Sequence, residues 1–183
     1  MNQTIKISDD DVELELNYQQ ALDFHNGDSI WGVAVAFRML QLAARFFNDN
    51  RIWKRNDLYI VSGHPGPGVK DAIEFVTHCI SNEQFTLQKG CEGKGCSRNM
   101  KFEWSITNND VTCIIKLRDD FVPEEFYAVL DRLNTGQEQE SDKNLFEKFK
   151  QDLSEKIWQE SISNTFRIII DTVNINKNKS AHA

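Results

Sequence analysis

His25 and Asp28 stand close together in Phe24-His25-Asn26-Gly27-Asp28-Ser29-Ile30-Trp31-Gly32. A neutral imidazole and a carboxylate at that spacing suit zinc or another first-row divalent metal. A second stretch, Ser62-Gly63-His64-Pro65-Gly66-Pro67-Gly68, puts His64 at the carboxyl end of a strand-like run, where it can reach the same point. Two glycine-bearing loops at the end of a sheet would then build one site. The competing reading is purely local: Asp28 caps a helix and His64 hydrogen-bonds within its turn.

A third chemical segment is Lys89-Gly90-Cys91-Glu92-Gly93-Lys94-Gly95-Cys96-Ser97-Arg98. Cys91 and Cys96 could bend onto one ion, although they lack the paired CxxC spacing of a zinc ribbon. Lys89, Lys94 and Arg98 also gather positive charge in an acidic chain, which with loop amides would hold an anion; the alternative is a solvated hairpin loop. The other thiols are Cys79, beside the apolar stripe of a helix, and Cys113, on the buried face of an alternating strand where it reads as core. No GxSxG elbow, Walker loop or HExxH helix occurs, and the turn Gly63 to Gly68 lacks GxGxxG spacing.

These residues need elements to position them. Val12 to Phe24 reads as a short helix broken at Asn26-Gly27, and Asp28 or Ser29 caps a second helix running to about Phe47. Gly32, Ala36 and Ala43 fall on nearly one face of it, so something must approach closely there, a neighbouring helix or sheet ahead of a ligand. Leu58 to Val61 is a buried strand, and Val69, Ala72, Ile73, Val76 and Ile80 form the apolar stripe of a helix. Three strands follow, at Phe85 to Leu87, Lys101 to Ile106 and Val111 to Leu117, with a hairpin turn at Asn108-Asn109-Asp110. They are expected to form a meander. Phe121 to Leu133 is helical, with Pro123 in its first turn and Asn134-Thr135-Gly136 as its stop. Leu145, Phe149, Leu153, Ile157 and Trp158 mark an amphipathic helix whose apolar face needs a partner, in the same chain or across a dimer. Phe166 to Val173 is a last strand or helical turn, and Asn174 to Ala183 a polar tail. The order predicts an α+β domain with a mixed sheet covered by helices: a domain over residues 1–136, then a C-terminal helical extension over 137–183.

Composition narrows the function classes. The 183 residues carry a formal charge of -7 with a pI near 5.1, which argues against general binding to nucleic acid or an acidic membrane. No apolar run approaches the roughly 20 residues of a membrane span, and the acidic start is unlike a signal peptide, so the expectation is cytoplasmic. Four cysteines there read as free thiols or metal ligands rather than disulfides.

Taken in order, the motifs resemble the formylmethanofuran dehydrogenase E-subunit family. Phe24-His25 and Gly32-Val33-Ala34-Val35-Ala36-Phe37-Arg38-Met39 are similar to the two ends of its histidine- and cysteine-bearing helix entrance. Asp71-Ala72-Ile73 and then Gly90-Cys91 with Gly93-Lys94-Gly95 resemble its later elements. The similarity spans about Ala21 to Leu117. Asp28 and Ile30 stand near the places of the family's second histidine and its cysteine, Gly68 where many members have another cysteine, and no C-terminal four-cysteine ribbon follows. Either Cys79 or Cys91 is the family cysteine. The resemblance implies an α+β fold, a homodimer, and a divalent metal, zinc first, held by His25, Asp28, His64 and one of Cys79 and Cys91. It also implies a small cytosolic metal-binding accessory or ligand-binding role beside one-carbon or molybdenum and tungsten redox chemistry, the redox cofactors residing in a partner enzyme. Two rival readings are a metal-dependent enzyme acting on a small anionic substrate and a metal-free dimeric interaction module.

Overall fold

The computed structural model describes residues 3–47, 52–93 and 95–172. It is α+β, as the element order predicts. The chain opens with a hairpin, β1 (Thr4–Asp9) and β2 (Val12–Asn17), turned by Asp10 and Asp11 at φ 46° and 65°. The expected helix from Val12 is therefore corrected: Val12-Glu13-Leu14-Glu15-Leu16 alternates with the period of a strand, and only α1 (Tyr18–His25) is helical. Asn17 ends one element and starts the other. Its side chain accepts from the Gln20 amide while the Gln20 side chain accepts from the Asn17 amide, a capping box.

Next come α2 (Ile30–Phe47), β3 (Leu58–Ser62), α3 (Pro67–Thr77), β4 (Phe85–Leu87), β5 (Glu103–Asn108) and β6 (Val111–Leu117). Then follow α4 (Glu124–Thr135), α5 (Asp142–Gln159), the short α6 (Ile162–Thr165) and β7 (Phe166–Thr172). The main sheet runs β4-β3-β5-β6-β7, parallel only between β3 and β4. The expected meander of β4, β5 and β6 does not form, because β3 inserts between β4 and β5. The β5–β6 hairpin does form, closed by Asn109 at φ 53°. The region from Asn174 onward lies outside the described residues.

α2 is the centre of the molecule. Of its residues, Trp31 and Val33 to Gln41 are all buried, along with Ala43 and Ala44. By length and composition it is apolar enough to cross a bilayer, which corrects the expectation that no run approaches a span, but 72% of it is buried inside the protein. Arg38, 1% exposed, donates to Gln41 Oε1 at 3.0 Å and to the Glu160 carbonyl at 3.3 Å, with its guanidinium 5.1 Å from the Trp158 ring. Gln41 in turn donates to the Thr4 carbonyl at 3.0 Å. One polar pair on a buried helix thus ties down both the N-terminal hairpin and the end of α5. The amphipathic face of α5 finds its partner in the same chain: Leu153 and Ile157 join the core containing α2, and β7 extends the sheet. Arg132 and Asp142 clamp α4 to α5 with two hydrogen bonds of 2.7 and 2.6 Å, and the Asp142 carboxyl is held down at about 2 chiefly by Arg132.

The close approach expected on the Gly32 face is to α3. A Cβ on Gly32 would lie 3.0 Å from the Val69 nitrogen, and a Cβ on Gly68 only 2.3 Å from the Ser29 carbonyl oxygen. Both obstacles are backbone, so neither can rotate aside. We therefore expect Gly68→Ala to lose at least about 2 kcal/mol in urea unfolding, as overpacking does, whereas Gly95→Ala, where an added Cβ would meet nothing within 4 Å, should lose little. Equal effects from the two substitutions would show that the helices are not in this contact.

Candidate functional site: a donor-lined cavity between two glycine loops

The glycine contact brings the start of α2 against the start of α3, and a cavity of about 180 Å3 opens beside it. Asp28, Ser29, Trp31 and Gly32 line it from the first loop, and His64, Gly66, Pro67 and Gly68 from the second. Cys96 borders it as well, and Phe126 of α4 with Phe146, Glu147 and Lys150 of α5 close the far side.

Each loop is held by local chemistry. The His25 ring receives the Ser29 N–H at Nε2 (3.1 Å), and its Nδ1 meets Asp71 Oδ2 at 2.6 Å. An imidazole that accepts at Nε2 must carry its proton on Nδ1, so His25 donates to Asp71. It thereby fixes the first turn of α2 to α3. In the second loop Ser62 Oγ accepts from the His64 amide and donates to the His64 carbonyl, and His64 Nδ1 accepts from the Gly66 amide at 3.1 Å. The neutral His64 ring then carries its proton on Nε2. His64 is 2% exposed, its ring 4.7 Å from Phe102, and burial holds its pKa down at about 3.

Three of the lining residues carry hydrogen-bond donors: Trp31, His64 and Lys150. The indole N–H of Trp31 is buried without a hydrogen-bond partner, and the ring is fixed by stacking on Phe121 at 5.9 Å. The Lys150 side chain is only 9% exposed, yet its ammonium reaches Glu147 at 2.7 Å and Asp28 at 3.7 Å. Those carboxylates sit at the rim, 59% and 84% exposed. The Cys96 thiol is pushed up by burial, with Lys150 pulling the other way. Neither Cys96 nor His64 is charged near neutral pH, so they do not form an activated thiolate–imidazolium pair.

Of the residues proposed from sequence as metal ligands, Asp28 and His64 border the same cavity, but the five are not gathered around one point. His25 spends both ring nitrogens on Ser29 and Asp71. His64 presents a proton at Nε2, where ligation would need a lone pair with Nδ1 donating to a carboxylate or carbonyl. Cys79 is fully buried against the Leu58 carbonyl (3.6 Å), its thiol raised to about 11 by burial, and Cys91 lies against the Asn99 carbonyl at 3.5 Å. Among the described residues, no three His, Cys, Asp or Glu side chains assemble as ligands for an ion. In this arrangement the donor set does not fit a metal centre.

The loop proposed for anion binding is also differently employed. Arg98 is bound to Asp131 at 2.6 Å and Glu124 at 2.5 Å, which spends its charge. Lys89 is exposed, and Lys94 lies outside the described residues. The cation of the cavity is Lys150, which sequence reasoning missed. Its signal was present: Phe146, Lys150, Leu153 and Ile157 recur at helical spacing, and a lysine within such a stripe is a buried charge. No family model and no curated protein sequence matches this chain.

The buried neutral His64 sets a pH dependence. Its pKa is 6.5 unfolded and about 3 folded, so above pH 6.5 neither state takes up the proton. Below that, only the unfolded chain does, and stability falls by up to about 1.4 kcal/mol per pH unit, roughly 2 kcal/mol by pH 5. His64→Gln should flatten the change in urea midpoint between pH 7 and pH 5. An unchanged slope would mean that His64 titrates freely in the folded protein.

Proposed function

We propose that this chain is a cytoplasmic small-ligand-binding protein whose cavity takes a compact anion or carbonyl compound by its acceptor end. The observation that carries this is the lining of the cavity: Trp31, whose buried indole N–H has no partner, the neutral buried His64 and the largely buried Lys150 all border it, while Asp28 and Glu147 are largely exposed. A buried donor without a partner costs about 1–3 kcal/mol, and a ligand oxygen would recover it. Phe126 and Phe146 supply flat apolar walls. The volume is close to the roughly 150 Å3 that admits benzene, so the ligand has about ten non-hydrogen atoms or fewer.

The ordered motifs support placing this role in a divergent branch of the formylmethanofuran dehydrogenase E-subunit pattern. The chain would serve as an accessory or ligand-carrying protein beside one-carbon or molybdenum and tungsten redox metabolism, with the electron chemistry in a partner enzyme. Binding fits better than catalysis, because the thiol and the imidazole at the cavity are both held neutral.

One observation favours a metal instead: Asp28, His64, Cys96 and Glu147 all border the same cavity. That reading requires His64 to change tautomer and Lys150 to leave both carboxylates. Titration with benzoate, followed by calorimetry, and with zinc separates the two. We expect saturable benzoate binding with Kd on the order of 0.1 mM, weakened about tenfold by Lys150→Met or Trp31→Phe, and no zinc binding at micromolar concentration. Absence of benzoate saturation, with tight zinc binding abolished by His64→Gln, would replace the ligand site by a metal site.

A further inference from the structure

β7 ends the sheet, and among the described residues no strand lies beyond it. It is an unusual edge. Ile168, Ile169 and Ile170 are 38%, 58% and 55% exposed, whereas edge strands are normally blunted by lysine, proline, bulges or brevity. Its register with β6 fixes the faces: Ile168 and Ile170 stand opposite Ile115 and Cys113 on the helix-covered side, and Ile169 opposite Ile114 on the other. Ile115 and Cys113 are fully buried while their β7 neighbours are not. The apolar layer under the helices therefore continues to the edge and stops there uncovered.

The sequence of the strand says what covers it. Phe166-Arg167-Ile168-Ile169-Ile170-Asp171-Thr172 is symmetric about Ile169, with a cation two positions before it and an anion two positions after. We propose that β7 pairs antiparallel with β7 of a second copy about a two-fold axis through Ile169, joining two five-stranded sheets into one. Residues opposed in an antiparallel pair share their hydrogen-bonding sense, so a two-fold register slips only from one residue centre to the next. Centred on Ile169, Arg167 stands opposite Asp171 in both halves, and Ile168 opposite Ile170. Centred on Ile168, Arg167 would oppose Ile169; centred on Ile170, Asp171 would. Charge complementarity thus selects one register of the three, and opposite charges placed across strands stabilise while like charges repel. The axis is perpendicular to the sheet, so the helices of both copies lie on the same side. Four isoleucines, Ile168 and Ile170 from each copy, complete the apolar layer across the junction, an isologous contact as two-fold symmetry requires.

This inference is independent of the ligand cavity. Sedimentation equilibrium of the full chain tests it with paired charge reversals at Arg167 and Asp171. Arg167→Asp places two Asp–Asp oppositions at the junction, and Asp171→Arg two Arg–Arg oppositions. Each is expected to weaken dimerisation roughly tenfold without shifting the thermal midpoint of the monomer. Mixed together, the two variants restore complementary pairs at both positions, so the mixture should associate as a heterodimer about as tightly as the unaltered chain. A monomeric unaltered chain, a dimer indifferent to either reversal, or a mixture no tighter than the separate variants would each overturn the proposal.

Discussion

Where α2 crosses α3 there is no room for a side chain. Gly32 faces the backbone of Gly68 and Val69, and Gly68 faces the carbonyl of Ser29. Much of the site follows from that contact. It draws the entrance of α2 and the turn before α3 to the same place, so two loops far apart in sequence share the walls of one cavity. It also lets His25 span the junction, with Ser29 on one nitrogen and Asp71 on the other. Backbone-to-backbone contact is stiff in a way that side-chain packing is not, because no rotamer can relieve it.

The chemistry of the cavity is then decided by backbone amides. Each histidine near it has one ring nitrogen claimed as an acceptor by a main-chain N–H, from Ser29 for His25 and Gly66 for His64. That claim fixes the tautomer, and the tautomer fixes the role. His25 becomes a strut between α1, α2 and α3; His64 becomes a buried donor. Lys150 completes the set, its charge kept in the protein by two carboxylates that themselves remain in water. The result is a small cavity bordered by Trp31, His64 and Lys150, with Phe126 and Phe146 on its far side.

Much of this was legible in the sequence. The core helix α2, the strand β3, the stripe on α3 and the β5–β6 hairpin each follow from hydrophobic period and turn residues, and the small-residue face at Gly32 announces a close neighbour. The hairpin β1–β2 was hidden because Val12 to Leu16 runs directly into a capped helix, and period two can be lost against period 3.6 over so short a stretch. β4 was found as a strand but not its neighbour, since pairing with β3 is a tertiary choice. Both loops of the site could be read from their glycines. The residues on its far wall, Phe126, Phe146 and Lys150, come from α4 and α5, far downstream of His25. No local pattern says that these surfaces meet. Nor does sequence state which ring nitrogen an amide will occupy, which is why histidines that look like ligands can be a strut and a donor.

Nitrogen-15 NMR of the two imidazoles at neutral pH tests these assignments most directly, because tautomers differ strongly in the shifts of their protonated and bare nitrogens. The expected result is a neutral His64 carrying its proton on Nε2 and not titrating down to pH 5, and a His25 carrying its proton on Nδ1. A His64 protonated on Nδ1, with Nε2 bare, would contradict them and return that nitrogen to the pool of metal ligands.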